Sequence, residues 1–322
     1  MATETGIEII ALEEHYWDPV LTDTYVGRNA SRRDGLLKRL YDVHELRLRE
    51  MDAAGIDIQV LSHGAPSAQR LDPQIGPEIV RQVNDNLHAT VQTHSDRFAA
   101  FAALATADPV ASADELERCV GELGFVGAMI HGLTNNEFCD KQKYWPIYAR
   151  AEKLEVPVYL HPAYPHPQVV EAYYQDYLED FPALATAGWG YTVETATQAI
   201  RMVLSGVFDA YPGLQMILGH MGETLPYLLW RVNQALSRVE NSQARSFREI
   251  FESHFHITTS GNFSNPALLC AVQEMGVDRI MFSVDYPFVE NQPGTEWAER
   301  MTFCRHDRVK ILNGNARRLL NL

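Results

Sequence analysis

Apolar residues in this chain gather in short runs that stop abruptly at polar ones. The clearest is Ile9-Ile10-Ala11-Leu12, which ends at Glu13, Glu14 and His15. An unbroken apolar run of that length reads as a strand of a parallel sheet, covered on both faces. Further runs are "IDIQVLS" (Ile56–Ser62), "RFAAFAAL", "FVGAMIH", "VPVYLHP", "QMILGH", "FHITTSG" and "RIMFSVDYPF". Most are separated by stretches of helical periodicity, among them "PEIVRQVNDNLHATVQTH", "ASADELERCVGEL" and "KYWPIYARAEKLE". Regular alternation predicts a parallel sheet, and eight βα units predict a closed (β/α)8 barrel, with a doubly wound sheet as the alternative.

Two segments break the rhythm, residues 17–50 after the first strand and 162–195 after the fifth, the latter rich in Pro, Tyr and Ala. Long connections in compact domains are usually functional or partner-facing. With no dividing linker and no internal repeat beyond the βα unit, residues 1–322 are expected to form one domain.

Composition changes the picture little. The 322 residues, 46% hydrophobic and 21% charged, suit a single barrel. A net charge of -15 and a pI near 5.2 argue against nucleic acid or an anionic membrane as partner. A small anionic substrate stays open, because one metal or arginine can reverse the sign of a pocket. The amino terminus lacks the features of a signal peptide, and no apolar stretch approaches the length of a membrane span. Four scattered cysteines (Cys119, Cys139, Cys270, Cys304), without any CxxC, are expected to be reduced thiols in a cytoplasmic protein.

The chemistry lies in the polar residues that end the apolar runs. The first strand ends in Glu13, Glu14 and His15, the second in Ser62 and His63, and the fourth in His131. The fifth ends in His161, the sixth in His220 and the eighth in Asp285. In a barrel these ends converge on one face, where catalytic residues gather. A single such histidine is more often a hydrogen-bonded loop residue; the recurrence is the signal. Period-2 alternation turns Glu13 and His15 to one side and Glu14 to the other, outside or behind the site. Pro162 stops the strand directly after His161, which favours a ligand role there, whereas Asp285 is either a ligand or a capping group before Pro287. One glutamate, two histidines and an aspartate form a mixed N/O set suited to Zn, Mn or Fe. His220 reads as a fifth ligand or a proton shuttle. Glu223, expected in the first turn of a helix, either orients His220 or is a helix N-terminal charge. His63 and His166 remain open.

The segments "ALEEH", "DRFAAFAAL", "VPVYLHP", "SGVFDAYPGLQMILGHMGETLPYLLWRVN", "FHITTSGNF" and "DRIMFSVDYPF" resemble, in order, those of the amidohydrolase superfamily. The resemblance is to its branch of metal-dependent aromatic acid decarboxylases. It implies one divalent metal, Mn or Zn, held by Glu13, His15, His161 and Asp285, with His220 and Glu223 as a catalytic pair beside Asp285. It further implies substrate contacts from Arg231 (partly across a subunit contact), His131, Trp189 and Phe288 on a small aromatic acid. The aromatic-rich insertion at 162–195 needs covering, so a homodimer or homotetramer is expected, with that insertion and the segment around Arg231 near the contact. For Trp189 the alternative is a plain core role. The chain departs from the dihydroxybenzoate pattern at His131 in "MIHGLTNNEF" and in "HPAYPHP" after the fifth strand, so the metal chemistry transfers and the substrate does not.

Two functions are therefore expected. One is non-oxidative decarboxylation of a hydroxylated aromatic or related unsaturated acid, with the metal holding the carboxylate and a neighbouring oxygen while Asp285 protonates the ring carbon. The other is hydrolysis of a lactone or cyclic amide by a metal-activated water.

Overall fold

The computed structural model describes residues 6–26, 34–238 and 245–322. Its strands, in chain order, are β1 (Ile10–Tyr16), β2 (Ile58–His63), β3 (Phe98–Ala100), β4 (Ala102–Ala103), β5 (Ala128–His131), β6 (Val158–His161), β7 (Met216–Leu218), β8 (Phe255–Thr258) and β9 (Ile280–Met281). All pair in parallel, in the order β1-β2-β3 and β4-β5-β6-β7-β8-β9. β3 and β4 are two halves of one strand interrupted at Phe101, whose amide donates to Leu61 while that of Ala102 donates to Gly127. The circle closes where Glu14 bridges Tyr286 in parallel fashion and the His15 amide donates to the Tyr286 carbonyl at 2.6 Å. This is the expected eight-strand barrel.

The barrel interior is filled as the alternation predicts. Ile10, Leu12, Val60, Phe101, Met129, Tyr159, Ile217 and Met281 form one cluster, contributed strand by strand. The outward residues of the same strands, such as Ile130, Leu160 and Ile257, join the larger cluster beneath the helices. Several helix starts are locally specified. Asp108 caps Pro109–Gly121 by accepting from Ala111, and Ser246 with Glu249 forms a capping box on Phe247–His254.

Both long connections lie on the mouth side. The first carries helices Pro19–Thr22, Asp34–Tyr41 and Glu45–Ala54, and its residues 27–33 lie outside the described residues. The second runs through short helical turns packed on Val170, Tyr174 and Ala185. Among the described residues no helix is long and apolar enough to cross a membrane.

Candidate metal centre and active site

β1 carries an extra residue. Its register against β2 slips between Ala11 and Glu14, so Leu12 and Glu13 together oppose one residue of β2. Such a bulge re-aims side chains next to a site. Here Leu12 stays in the interior cluster while Glu13 also turns inward, its Oε2 accepting from the hydroxyls of Tyr159 and, at 2.7 Å, Ser260. Gly219 leaves room for this carboxylate, since a Cβ there would run into it.

Around Glu13 the strand ends converge. Its Oε1 lies 3.2 Å from His161 Nε2, 3.3 Å from His220 Nε2 and 4.0 Å from His15 Nε2. Asp285 Oδ1 lies 3.3 Å from His15 Nε2, and Oδ2 lies 3.8 Å from His220 Nε2. Donor atoms of Glu13, His161, His220 and Asp285 all fall within 4.8 Å of one another. The Nε2 atoms of His15 and His161 face each other at 3.1 Å.

These residues fit a divalent cation. Glu13 Oε1 and Asp285 Oδ1 are buried and receive no hydrogen bond. Each histidine anchors its other nitrogen: His161 Nδ1 donates to the Pro162 carbonyl, His220 Nδ1 to Glu223 at 2.7 Å, and His15 Nδ1 pairs with Ser62 Oγ. That leaves the Nε2 atoms for the centre, the arrangement metal-binding imidazoles adopt. Charge agrees. Despite burial, His220 and His161 hold the Glu13 carboxyl well below its ordinary range. Burial also opposes ionisation of Asp285, yet the adjacent imidazoles of His15 and His220 keep its carboxyl low. Burial keeps His15 neutral, while Glu13 and Glu223 outweigh burial at His220 and raise it well above its usual value.

The backbone at His220 corrects one expectation. His220, Met221, Gly222, Glu223 and Thr224 all have left-handed φ, from 49° to 78°, so Glu223 lies in a left-handed turn and the helix starts at Leu225. The turn still delivers Glu223 to His220. Conformations of this kind cluster at active sites, held by the surrounding structure.

A cavity of about 700 Å³ opens above the cluster, lined by His220, Asp285, Ser260 and Asn262 and by apolar walls including Tyr191, Met221, Pro226 and Tyr227. The Phe288 ring lies 5.7 Å from the His15 ring. His131 lies level with His161, its opposite number across β5 and β6. Arg231 and Trp189 are not brought to the cluster. Arg231 is exposed and bonds Gln234 on its own helix, and Trp189 is 49% exposed, so it is not core either. His63 is a loop anchor, accepting from the Asp18 amide, and His166 caps a short helix by accepting from Gln168.

Sequence reasoning missed the hydroxyls of Tyr159, Thr258 and Ser260 behind Glu13, although alternation from His161 points Tyr159 inward. Glu14 is fully buried and braces β9, with burial pushing its carboxyl up to about 8 against the pull of the Val284 amide and Arg47.

The family model for amidohydrolases matches residues 15–322, and the chain belongs to that family. It is 42% identical to a γ-resorcylate decarboxylase of Rhizobium radiobacter over 97% of this chain and 98% of that one. Its structure resembles that of a dihydroxybenzoic acid decarboxylase from Polaromonas with bound manganese and the inhibitor 2-nitroresorcinol (TM-score 0.90, 38% identity, 98% of this chain and 97% of that one). A 5-carboxyvanillate decarboxylase from Sphingomonas paucimobilis aligns with a TM-score of 0.92 at 30% identity, over 98% of this chain and 99% of that one.

Proposed function

We propose that this chain is a metal-dependent, non-oxidative decarboxylase of a hydroxylated aromatic acid. The observation that carries the reading is the placement of Asp285, which joins the cation cluster and also lines the cavity beside His220. Glu13, His15, His161 and Asp285 would hold one divalent ion, Mn or Zn. Such an ion would supply Lewis acidity toward an acidic substrate. The apolar walls hold the ring and exclude water. Asp285, once it has taken a proton from His220, delivers it to the ring carbon that bears the carboxylate; the bond to the carboxylate breaks, its electron pair restores the ring and carbon dioxide leaves. His220 Nε2 lies 3.8 Å from Asp285 Oδ2 and is placed to give that carboxylate its proton.

Turnover in heavy water should place one deuterium at the vacated carbon, with equimolar carbon dioxide. Asp285→Asn, which has no proton to give, should abolish it. Oxygen-18 from water appearing in an organic product of a lactone or amide would instead establish the hydrolase.

We further read residues 1–322 as one cytoplasmic domain, in keeping with four free cysteines, and as a homodimer or homotetramer. Tyr227, which lines the cavity, is exposed together with Leu228 and Trp230 on the same helix and Leu269 on its neighbour, apolar surface that a second copy would cover. Light scattering that finds a monomer at micromolar concentration would reject the assembly.

A further inference from the structure

The starting ends of the parallel strands border a second cavity, on the face of the barrel opposite the metal centre. It measures about 1080 Å³ and is lined by residues that precede or open β5 to β9, among them Pro157, Gln215, His256 and Arg279. Arg318 and Leu320 reach it from the last helix, Asn315–Leu320, whose Ala316 and Leu320 also belong to the interior cluster.

Two guanidinium groups face this cavity with little to neutralise them. Arg279 Nη1 donates to Gln215 Oε1 at 3.0 Å and to His256 Nε2 at 2.8 Å, and among the described residues its charge meets no carboxylate in an ion pair. The neighbouring Asp278 carboxylate turns to Lys310 at 2.7 Å and lies 3.9 Å from Arg318. Arg318 otherwise bonds only the Asp278 carbonyl and the Asn315 amide oxygen. Of the acids on the cavity wall, Glu152 accepts the Gly213 amide at 2.6 Å and Glu155 is exposed.

His256 adds a third donor. Phe255 and Ile257 belong to the outer cluster, so alternation turns the His256 ring inward. A guanidinium can only donate, so His256 Nε2 is the acceptor in its contact with Arg279 and the ring proton lies on Nδ1. His256 is 6% exposed, and its Nδ1 is buried without a hydrogen-bond partner. A buried donor left unpaired is unfavourable. Burial, helped by Arg279 and Arg318, holds the ring neutral, while burial and the Arg318 charge both oppose the charge on Arg279. Donors of one sign gathered in this way suit an anion.

We propose that this cavity is an oxyanion site that takes a phosphate group, held by Arg279 and Arg318 with His256 Nδ1–H as a third donor. The arginine fork matches phosphate oxygens. A tetrahedral phosphate presents acceptors in several directions, which suits donors arriving from two strands and a helix better than a planar carboxylate does. Bound there, it ties the last helix to β8 and β9. The cavity exceeds a single ion in size and accommodates a phosphate ester.

The test is calorimetric titration of inorganic phosphate into the native, metal-loaded protein and into Arg318→Gln, Arg279→Gln and Lys153→Gln, with chloride holding the ionic strength constant. Lys153 carries a charge near the cavity but does not line it. The native protein should bind about one phosphate per chain and melt at a higher temperature with it than in chloride, because a ligand of the folded chain stabilises it. Each arginine variant should bind at least ~10-fold more weakly, the scale of a lost hydrogen bond to a charged group. Lys153→Gln should bind as the native protein does. Arg279→Gln also cuts the bonds to Gln215 and His256, so if it fails to fold, Arg318→Gln decides. Glycerol 3-phosphate separates the sources: binding as tight as that of phosphate marks a site for phosphate esters, its exclusion marks one for the ion, and either upholds the proposal. Absence of phosphate binding, binding that Arg318→Gln leaves intact, or equal weakening in Lys153→Gln would each overturn it. So would acetate that binds more tightly than phosphate.

Discussion

The carboxylate of Glu14 accepts the backbone amide hydrogens on both sides of Asp285, from Val284 at 2.9 Å and from Tyr286 at 3.2 Å. Asp285 itself has φ 71°, a left-handed conformation that a non-glycine residue adopts at a cost on the order of 1–3 kcal/mol. Glu14 thus holds the strained residue by its flanks, across the seam where β9 meets β1. Behind it, the fully buried Arg47 donates to the His15 carbonyl and to Gln59 and lies 4.5 Å over the Tyr286 ring. One frame therefore fixes both His15 and Asp285.

Glu14→Ala should leave two buried amides unpaired and destabilise the protein by roughly 2–4 kcal/mol, read from the urea midpoint. Glu14→Gln keeps one acceptor oxygen and should cost less. Because the frame orients two of the proposed ligands, metal affinity in Glu14→Gln should fall by about 10–100-fold in chelator competition. Native affinity in that variant would show that Glu14 serves stability alone.

Removal of the metal should be visible without any substrate. A cation that binds only the folded chain stabilises it by mass action, about 2.7 kcal/mol at a hundredfold excess over Kd. Stripping with chelator should lower the melting temperature by several degrees, and Mn or Zn should restore it at about one ion per chain. His161→Ala should melt at one temperature with or without added metal. A native protein whose melting ignores both chelator and metal has no such site.

Much of this centre was legible in the sequence because strand geometry is periodic. Parallel strands advertise themselves as apolar runs, and their ends sit on one face, so Glu13, His15, His161 and Asp285 were expected together with His220 beside them. The donor atoms that fall within 4.8 Å of one another are those of Glu13, His161, His220 and Asp285. What alternation does not reveal is the exception to it. The bulge in β1 places Leu12 and Glu13 on the same side, and no residue type there signals it. The left-handed turn at 220–224 looked helical because four of its five residues are not glycine. Glu14 read as a residue pointing away from the site. Its partners are backbone amides some 270 positions along the chain, and backbone amides have no sequence signature.

His63 should make the fold acid-sensitive. Its Nε2 accepts from the Asp18 amide and its Nδ1 donates to the Gly64 carbonyl, which uses the neutral ring fully. Burial lowers it from the ordinary 6.5 to about 4. A depressed histidine contributes stability that is fully present above pH 6.5 and lost as pH falls toward 4. The shift corresponds to on the order of 3 kcal/mol. Denaturant midpoints for the native protein and His63→Gln should therefore converge between pH 7 and pH 4.5. Parallel curves would mean that other groups set the acid limit.

His220 and Glu223 are joined at 2.7 Å through Nδ1, and this pair should separate catalysis from metal binding. Glu223 is 1% exposed, so its charge is committed to the imidazole and turns Nε2 toward Glu13 Oε1 at 3.3 Å. Alanine is a poor probe here, because His220 sits at φ 49°, which asparagine tolerates and alanine does not. His220→Asn should fold normally. The proposed ligands Glu13, His15, His161 and Asp285 all remain, so metal content should stay close to that of the native protein. Turnover should nevertheless fall by at least ~100-fold, the usual scale for a group that moves a proton in the reaction. Glu223→Gln keeps the hydrogen bond but removes the charge, and should fall by about 10–100-fold with metal retained. If His220→Asn is purified without metal and added Mn does not restore it, His220 is a ligand. The proton would then need another carrier.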